Sequence, residues 1–349
     1  MKNKLLAFLF FSVHTLNAQI TFIPDSIFEQ KLIDLNYDNY HNGWVITDSI
    51  DSIDSLDISS FNAQAGSYKI TDITGIEDFS NLQYLNCSNN KLDTLNLNYN
   101  QHLKHIICVG DSIEVLLIDS LFSLKILQCN SNNITELNLS GNPAIDSLEC
   151  SNNKLTSIDL SNNIYLGYLF CGENYLTSLD ISMLDLFALR CQNNAINTID
   201  LANNYSLEWL TCYNNNLQNI NLNDNPNLIV LNIGNVSSQL STFSNDLSTL
   251  DISNNCNITT FYSKGNPNLE CIQVCDSSVA NNWNTQNIDL QHFFSIDCNY
   301  TSVDEVSFNR DDLISIIDIY GRKVNQNYKG VLFYLYKTGK VEKRIILAK

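Results

Sequence analysis

The feature that most constrains the fold is a series of seven cysteines at an almost constant spacing. Successive members are 21 residues apart, except for one interval of 20 residues. Such regularity predicts that the chain repeats one structural unit and stacks the copies into a solenoid. The series consists of Cys87, Cys108, Cys129, Cys150, Cys171, Cys191 and Cys212.

Each unit consists of two similar halves, seen most clearly in Leu82-x-x-Leu85-x-Cys87-x-x-Asn90-x-Leu92-x-x-Leu95-x-Leu97-x-x-Asn100. Because side chains alternate along a strand, the central leucine of each half faces inward and its neighbours face outward. The pattern predicts a mainly β repeat solenoid with two short parallel strands per coil. Nine units fit, with an insertion between Ile233 and Leu247.

Asparagines recur three residues after the cysteines, at Asn90, Asn132, Asn153, Asn174, Asn194 and Asn215. A short amide side chain at this point can satisfy backbone groups of the turn inside the coil. We interpret these residues as a structural ladder rather than as ligand contacts. Asp111 is the exception in the series.

The pattern LxxLxCxxNxLxxLDLSxN resembles the 21-residue bacterial leucine-rich repeat with nested half-repeats, and the resemblance covers residues 82–271. It implies a curved or twisted solenoid whose outward strand faces recognise other molecules, without chemistry of its own. Departures at Gly110-Asp111, Leu121 and Leu184 replace turn residues, so we expect those coils to be locally irregular.

The N-terminal 80 residues are expected to contain a targeting segment and a cap. Lys2 and Lys4 precede the apolar run 5–13, and residues 1–18 resemble a signal peptide. Residues 19–80 then form an N-terminal cap with degenerate repeats. Ser26-Ile-Phe-Glu29 reads as a capping box that opens a helix. No later apolar stretch is long enough to predict a transmembrane helix.

The C-terminal residues alternate in the manner of β-strands separated by glycine turns, in 313–324, 330–341 and 343–349. They resemble the C-terminal sorting domain of type IX secretion in Bacteroidetes. The resemblance implies a small β-sandwich-like domain over residues 303–349 that engages the type IX machinery. It also implies a protein secreted from, or held on, the outer cell surface of a Bacteroidetes-type bacterium.

Residues 272–302 resemble the segment that closes Bacteroidetes repeat proteins, and the repeats themselves occupy residues 81–271. In an oxidising compartment we expect a disulfide between Cys271 and Cys298, with Cys256 and Cys275 as a weaker second pair. The seven ladder cysteines are expected to remain free, because stacked parallel strands orient their Cβ atoms poorly for a disulfide.

The formal charge of the chain is −18, and removal of Lys2 and Lys4 makes it −20. The basic residues concentrate after residue 312, so the remainder of the chain is strongly acidic. This charge disfavours nucleic acid and anionic membranes as partners. It leaves extracellular proteins, neutral glycans and cations, and no cofactor is predicted.

The outward positions of the first strands contain the candidate ligand-binding residues Tyr168, Phe170, Arg190 and Trp209, with Tyr213 just beyond its strand. Aromatic residues and arginine on a rigid sheet are common at binding hot spots. The alternative is ordinary cross-strand packing of exposed aromatic residues. We expect the five residues to form one patch with Arg190 between the aromatic rings.

The second strands place Asp159, Asp180 and Asp200 in an outward row. Stacked carboxylates repel one another unless they are hydrogen-bonded or bind a cation such as calcium. We treat a metal site here as a weak alternative, because Asp-Leu-Ser is a turn-forming motif in the family that the repeats resemble. Recurrent Asp-Ser-Ile/Leu triplets also resemble O-glycosylation sites, although repeat spacing alone produces many such triplets.

No phosphate loop, nucleophile elbow or paired-carboxylate motif is visible, and catalysis is not predicted. The favoured hypothesis is an exported, non-catalytic recognition or adhesion module that binds protein or glycan. One alternative is an interaction scaffold or signalling adaptor. A weaker one is an accessory part of a polysaccharide-degrading enzyme system.

Overall fold

A computed structural model describes residues 19–60, 68–234, 245–278, 283–298, 313–325, 328–337 and 341–346. The backbone separates into two compact units, 1–298 and 299–349. The predicted signal peptide lies outside the described residues. Within the described ranges, no helix has the length and apolar character needed to cross a membrane.

The first unit is a β solenoid whose coils each contribute one strand to a single parallel sheet, here called the main sheet. Its strands pair in the register predicted from the cysteine spacing, with Leu148 beside Leu169 and Leu169 beside Leu189. A tenth strand comes from the degenerate repeat around Leu56. The strands are Ser55–Asp57, Tyr84–Asn86, His105–Ile107, Ile126–Gln128, Ser147–Glu149, Tyr168–Phe170, Ala188–Arg190, Trp209–Thr211, Val230–Asn232 and Thr260–Tyr262.

The second strand expected in every coil is present at only the two ends of the solenoid. Near the N-terminus, Thr94–Asn96 pairs with Val115–Leu117. Near the C-terminus, a parallel sheet contains Leu250–Ile252, Cys271–Val274 and Phe293–Ser295. The described residues of the central coils have no strand here.

The ladder cysteines fill the core beside the main sheet. All seven are unpaired and completely buried. Burial raises the pKa of Cys129, Cys171 and Cys212 to about 12, because a thiolate loses its hydration in the apolar interior. The thiols therefore act as small apolar groups that pack between successive leucines.

The asparagine ladder joins each coil to the one before it. In Asn153, the Nδ2 group donates to the carbonyl oxygens of Cys129 and Cys150, both at 3.0 Å. Its Oδ1 atom accepts the backbone N–H of Ile134 at 3.0 Å. The same arrangement recurs at Asn132, Asn174 and Asn215. One buried side chain thus satisfies three backbone groups from two coils.

The residue before each ladder position adopts a left-handed backbone, which asparagine and glycine tolerate better than most residues. Asn152 has a φ of 56°, and Gly110 has a φ of 73°. This requirement explains the Asn-Asn doublets of the repeats. It also shows that Gly110 fits the pattern, so the irregularity expected at Gly110-Asp111 is confined to the aspartate.

A helix at Ser26–Asp34 covers the N-terminal end of the solenoid and buries Phe28 and Leu32. The predicted capping box is wrong. Asp25 caps the helix by accepting the N–H groups of Ile27 and Phe28, while its other oxygen accepts the Thr71 N–H. Glu29 instead accepts the N–H groups of residues 42 and 43, because the chain folds back over the helix.

The rest of the N-terminal cap contains an antiparallel strand pair, Ile20–Phe22 with Trp44–Ile46. Short helices follow at Thr47–Ile50 and at Ile76–Asp78, the latter of the 3-10 type. Thr21 connects these segments, since its hydroxyl lies 2.9 Å from that of Thr47 and donates to Asp78 at 2.6 Å. These partly buried polar contacts therefore join separate segments of the N-terminal cap to one another.

Aromatic packing and two disulfides close the C-terminal end. The Trp283 ring lies 4.6 Å from that of Phe261 and 5.3 Å from that of Phe294, and its Nε1 donates to Ile258 O. A 3-10 helix lies at Thr285–Asn287. The two pairs are Cys271 with Cys298 and Cys256 with Cys275, at Cα separations of 5.8 and 5.9 Å.

The described part of the second unit is one antiparallel sheet, formed by Leu313–Asp318, Gly330–Tyr336 and Val341–Ile346 in that order. These residues do not form the two layers of the expected sandwich-like domain. Three strands can pair edge to edge but leave no further strands for a facing sheet. Residues 303–312 of the predicted domain lie outside the described ranges.

Candidate binding surface

The centre of the main sheet presents an arginine held between two aromatic rings. The Arg190 guanidinium carbon lies 4.7 Å from the centre of the Phe170 ring and 4.7 Å from that of Trp209. Phe170 and Arg190 are direct neighbours on adjacent strands, so the sheet register fixes one half of this contact. Both distances are within the range of cation–π contacts. Phe170, Arg190 and Trp209 are called the arginine sandwich below.

The other half of the arginine sandwich depends on the direction of the Trp209 side chain. Trp209 is the register neighbour of Ala188, whereas Arg190 is beside Thr211. The indole Nε1 donates to the Thr211 hydroxyl at 3.0 Å, which turns the ring toward the row containing Arg190. Thr211 therefore positions one wall of the arginine sandwich.

Arg190 is unusual in charge as well as in packing. It is the only arginine in residues 19–298, a range with 31 acidic and eight basic residues. Nevertheless, no carboxylate of the described chain forms an ion pair with it. The acidic side chain in its row, Glu149, instead accepts hydrogen bonds from Gln128 at 3.0 Å and Asn130 at 3.1 Å. The Arg190 guanidinium is therefore not paired with a carboxylate of the described chain.

Tyr168 belongs to a second aromatic pair beside the arginine sandwich. Its ring stacks on that of Phe187, with centres 5.9 Å apart, and both side chains are 47% exposed. A Cβ atom at Gly167 would lie 3.0 Å from the Phe187 ring, so glycine leaves room for this stack. Sequence reasoning missed Phe187 because alternation does not constrain the residue before a strand. The sequence feature that could have identified Phe187 is its aromatic side chain, since the equivalent residues of other coils are Gln83 and Lys104.

Tyr213 lies at the edge of this surface and is only partly exposed. Burial raises the pKa of its hydroxyl, and the negative charge of Glu173 adds to the effect. Its side chain hydrogen-bonds Asn193. The single patch expected from five residues is therefore divided into the arginine sandwich, the Tyr168–Phe187 pair and a peripheral Tyr213.

The aspartates of the second side form local turns. Asp159, Asp180 and Asp200 each accept the backbone N–H of the residue two positions later, at 3.0 Å. Hydrogen bonds from the Ser161 hydroxyl and amide lower the pKa of Asp159, and those from Ser182 do the same for Asp180. A search of the described residues found no cluster of three or more side chains suited to a metal ion.

A serine, a histidine and an aspartate converge in the C-terminal cap, an arrangement that sequence reasoning missed. Ser263 Oγ lies 2.9 Å from His292 Nδ1, and His292 Nε2 lies 3.7 Å from Asp289 Oδ2. Ser263 and the His292 side chain are fully buried, and burial lowers the pKa of the imidazole. A substrate cannot reach this serine, and we interpret the three residues as contacts that close the solenoid.

The fold is similar to solved leucine-rich repeat structures. A functional domain of InlJ from Listeria monocytogenes, described as including a cysteine ladder, is 26% identical with a TM-score of 0.55. The match covers 76% of this chain and 65% of that domain, so the chain spans less than two thirds of it. Internalin C2 from the same organism is 25% identical with a TM-score of 0.54, over 61% of this chain and 96% of that one.

A plant peptide hormone receptor, RGFR1 in complex with RGF2, shares the fold at 19% identity and a TM-score of 0.52. That match covers 62% of this chain and 37% of the receptor. No family model matches the sequence, and a search of curated proteins found no similar sequence. The comparisons place the chain among leucine-rich repeat folds.

Proposed function

We propose that this protein is an exported, non-catalytic recognition module that binds a protein partner through the exposed face of the main sheet. The single observation that carries the proposal is the arginine sandwich. Arginine and tryptophan contribute strongly to binding energy at protein interfaces, particularly at the centre of a patch. Here they lie on a rigid parallel sheet next to a second exposed pair, Tyr168 and Phe187.

Catalysis has less support than recognition. The described residues that come closest to a catalytic arrangement are Ser263, His292 and Asp289, and the Ser263 and His292 side chains are fully buried. Besides Arg190, the outward positions of the main sheet include aromatic, amide, aliphatic and hydroxyl side chains together with His105 and Glu149. His105 hydrogen-bonds Gln128, and Glu149 accepts from Gln128 and Asn130, so these two groups bond amides rather than a hydroxyl. Such a surface offers contact area and directional hydrogen bonds but no activated nucleophile.

Export is the second part of the proposal. The disulfides Cys271–Cys298 and Cys256–Cys275 suit an oxidising compartment. The division of the backbone after residue 298 is compatible with a cap ending near residue 302 and a sorting domain at 303–349. Intact-mass spectrometry of protein from the medium and the washed cell surface should show a species that begins near Gln19 and lacks residues 303–349. A surface species that retains Lys349 would contradict the sorting role.

The recognition proposal is tested with full-length variants of the arginine sandwich. The double variant R190A/W209A should lose at least tenfold in affinity for partners selected from displayed protein fragments of the producing organism, because hot-spot truncations cost 2 kcal/mol or more. Tyr175→Ala is the matched control, since Tyr175 is 64% exposed and follows the strand that contains Phe170.

All variants should retain the thermal unfolding midpoint of the unmodified protein to within a few degrees. The proposal is contradicted if R190A/W209A binds every selected partner as tightly as Tyr175→Ala does. It is also contradicted if no protein fragment is selected and the protein binds only to glycans on a glycan array.

A further inference from the structure

We infer that Arg190 binds a carboxylate on the partner, and that the ligand is an extended polypeptide segment with a single aspartate or glutamate at the contact. The inference rests on the proposed function and specifies its ligand. It follows from three observations about Arg190, which concern its packing, its lack of an internal partner and the charges around it.

The packing of Arg190 leaves one direction open for hydrogen bonding. The guanidinium carbon of Arg190 lies over the Phe170 and Trp209 rings, 4.7 Å from each ring centre. A guanidinium donates its N–H groups in its own plane, and no carboxylate of the described chain forms an ion pair with them, so they are available to a ligand. The rings also restrict the rotation of a long side chain, which reduces the entropy lost when the edge binds a planar oxyanion.

Arg190 has no carboxylate partner in the described chain, although the unit that contains it is strongly acidic. Residues 19–298 contain 31 carboxylates, and the described chain directs none of them to this arginine. The main sheet places neutral Phe170 and Thr211 on either side of Arg190. An arginine pairs with a planar carboxylate through two parallel hydrogen bonds, which gives both energy and orientation. The missing carboxylate is therefore one that a ligand supplies.

The surrounding charges restrict the ligand further. Glu149 lies beside Phe170 in the same row, and Glu208 directly precedes Trp209. These carboxylates repel an anion that is not in contact with Arg190. The surface thus selects one acidic residue flanked by uncharged residues and disfavours an acidic run. Tyr168 and Phe187 lie beside the cation and suit apolar side chains of the same segment.

The test is selection of a displayed library of random linear peptides on the immobilised full-length protein. Selected peptides should share one aspartate or glutamate with uncharged neighbours. Arg190→Gln should weaken their binding at least tenfold, and replacement of the peptide's acid by its amide should have a similar effect. The two changes together should cost little more than either alone, since they remove the same contact. Raised salt should weaken binding to the unmodified protein more than to Arg190→Gln.

Lys154→Gln is the matched control, because it removes an exposed cation that lies outside the strands of the main sheet. It should leave peptide binding unchanged. Peptides that depend on Trp209 but contain no required acid would overturn the carboxylate inference and leave the proposed function standing. Equal loss in Lys154→Gln and Arg190→Gln would overturn it as a nonspecific charge effect. Selection of uronic acid glycans on an array, without peptides, would overturn the polypeptide ligand.

If no selected peptide loses affinity in Trp209→Ala, the main sheet face is not the recognition surface, and the proposed function itself fails. The variant Arg190→Lys distinguishes a requirement for positive charge from a requirement for two parallel hydrogen bonds. Lysine keeps the charge but cannot present two parallel donors to a carboxylate. An affinity for Arg190→Lys equal to that of the unmodified protein would contradict bidentate binding.

Discussion

Replacing Asn153 with alanine is expected to destabilise the solenoid by about 3–5 kcal/mol, the largest effect of any substitution proposed for this protein. Asn153 is 6% exposed and satisfies the Ile134 N–H and the carbonyl oxygens of Cys129 and Cys150. Alanine leaves the buried Ile134 N–H without a partner, at a cost of about 1–3 kcal/mol. It also removes one of the two amide donors of each carbonyl, at about 0.5–1.5 kcal/mol apiece, because Asn132 still donates to Cys129 O and Asn174 still donates to Cys150 O. Partial entry of water reduces the sum of these costs.

The measurement is urea unfolding followed by circular dichroism, with Lys154→Ala as the matched control. Lys154 is adjacent in sequence and exposed, so its truncation should change stability by less than about 0.5 kcal/mol. Because each coil contacts only its neighbours, local opening around the coils of Cys129 and Cys150 should also increase hydrogen exchange there. A loss below about 1 kcal/mol for Asn153→Ala would show that the asparagine ladder does not join the coils.

Asp111→Asn is expected to stabilise the protein at pH 8 by about 2 kcal/mol. Asp111 follows Cys108 by three residues, as Asn153 follows Cys150, but a carboxylate cannot donate to the coil carbonyls. Burial raises the pKa of Asp111 to about 7, which outweighs the nearby backbone N–H groups of Leu92 and Asn90 that favour the charged form. The roughly 3-unit rise corresponds to about 4 kcal/mol. Because the carboxyl is partly exposed, solvent screening reduces the expected stabilisation by about half, to about 2 kcal/mol.

The sign of the pH dependence follows from proton binding. Between about pH 4 and pH 7 the unfolded chain has released the Asp111 proton while the folded protein retains it. The contribution of Asp111 to stability is therefore present below pH 4 and is lost as the pH rises through 7. Asp111→Asn should remove this loss, so the variant's advantage should grow from pH 4 to pH 8.

Unfolding titrations at several pH values test this prediction. The reciprocal variant Asn132→Asp, in the following coil, should acquire the same loss of stability at high pH, because Asn132 donates to the Cys108 and Cys129 carbonyls. An advantage of Asp111→Asn that is independent of pH would contradict a protonated Asp111. Equal stability of Asp111→Asn and the unmodified protein at pH 8 would contradict the prediction altogether.

Features set by local spacing could be predicted from the sequence, whereas features set by distant contacts could not. The cysteine interval determines which residues are neighbours, so the register of Phe170 beside Arg190 followed from counting. The direction of Trp209 depends on a hydrogen bond to Thr211, a choice among rotamers that no repeat pattern encodes. Phe187 precedes its strand, where alternation no longer specifies a face.

The same distinction explains the errors in the cap and in the second strands. Glu29 has the right spacing for a capping box, but the chain at residues 42 and 43 folds back over the helix. The N–H groups of these two residues donate to the Glu29 carboxylate, which is then not available to cap the helix. The second half-repeat has the leucine spacing of a strand, yet pairing also requires that neighbouring coils approach closely enough on that side. That approach depends on how the coils stack, which the pattern of one unit does not contain.

Site-specific photo-crosslinking tests the central claim most directly, since it shows where a partner contacts the solenoid. A benzophenone amino acid is placed at Phe187, which is 47% exposed beside Tyr168, or at Met183, which is 72% exposed beside Asp180 and outside the main sheet. With a partner selected as above, Phe187 should give the crosslinked product, and R190A/W209A in the same chain should abolish it. Crosslinking through Met183 alone, or equally through both positions, would contradict recognition by the face of the main sheet.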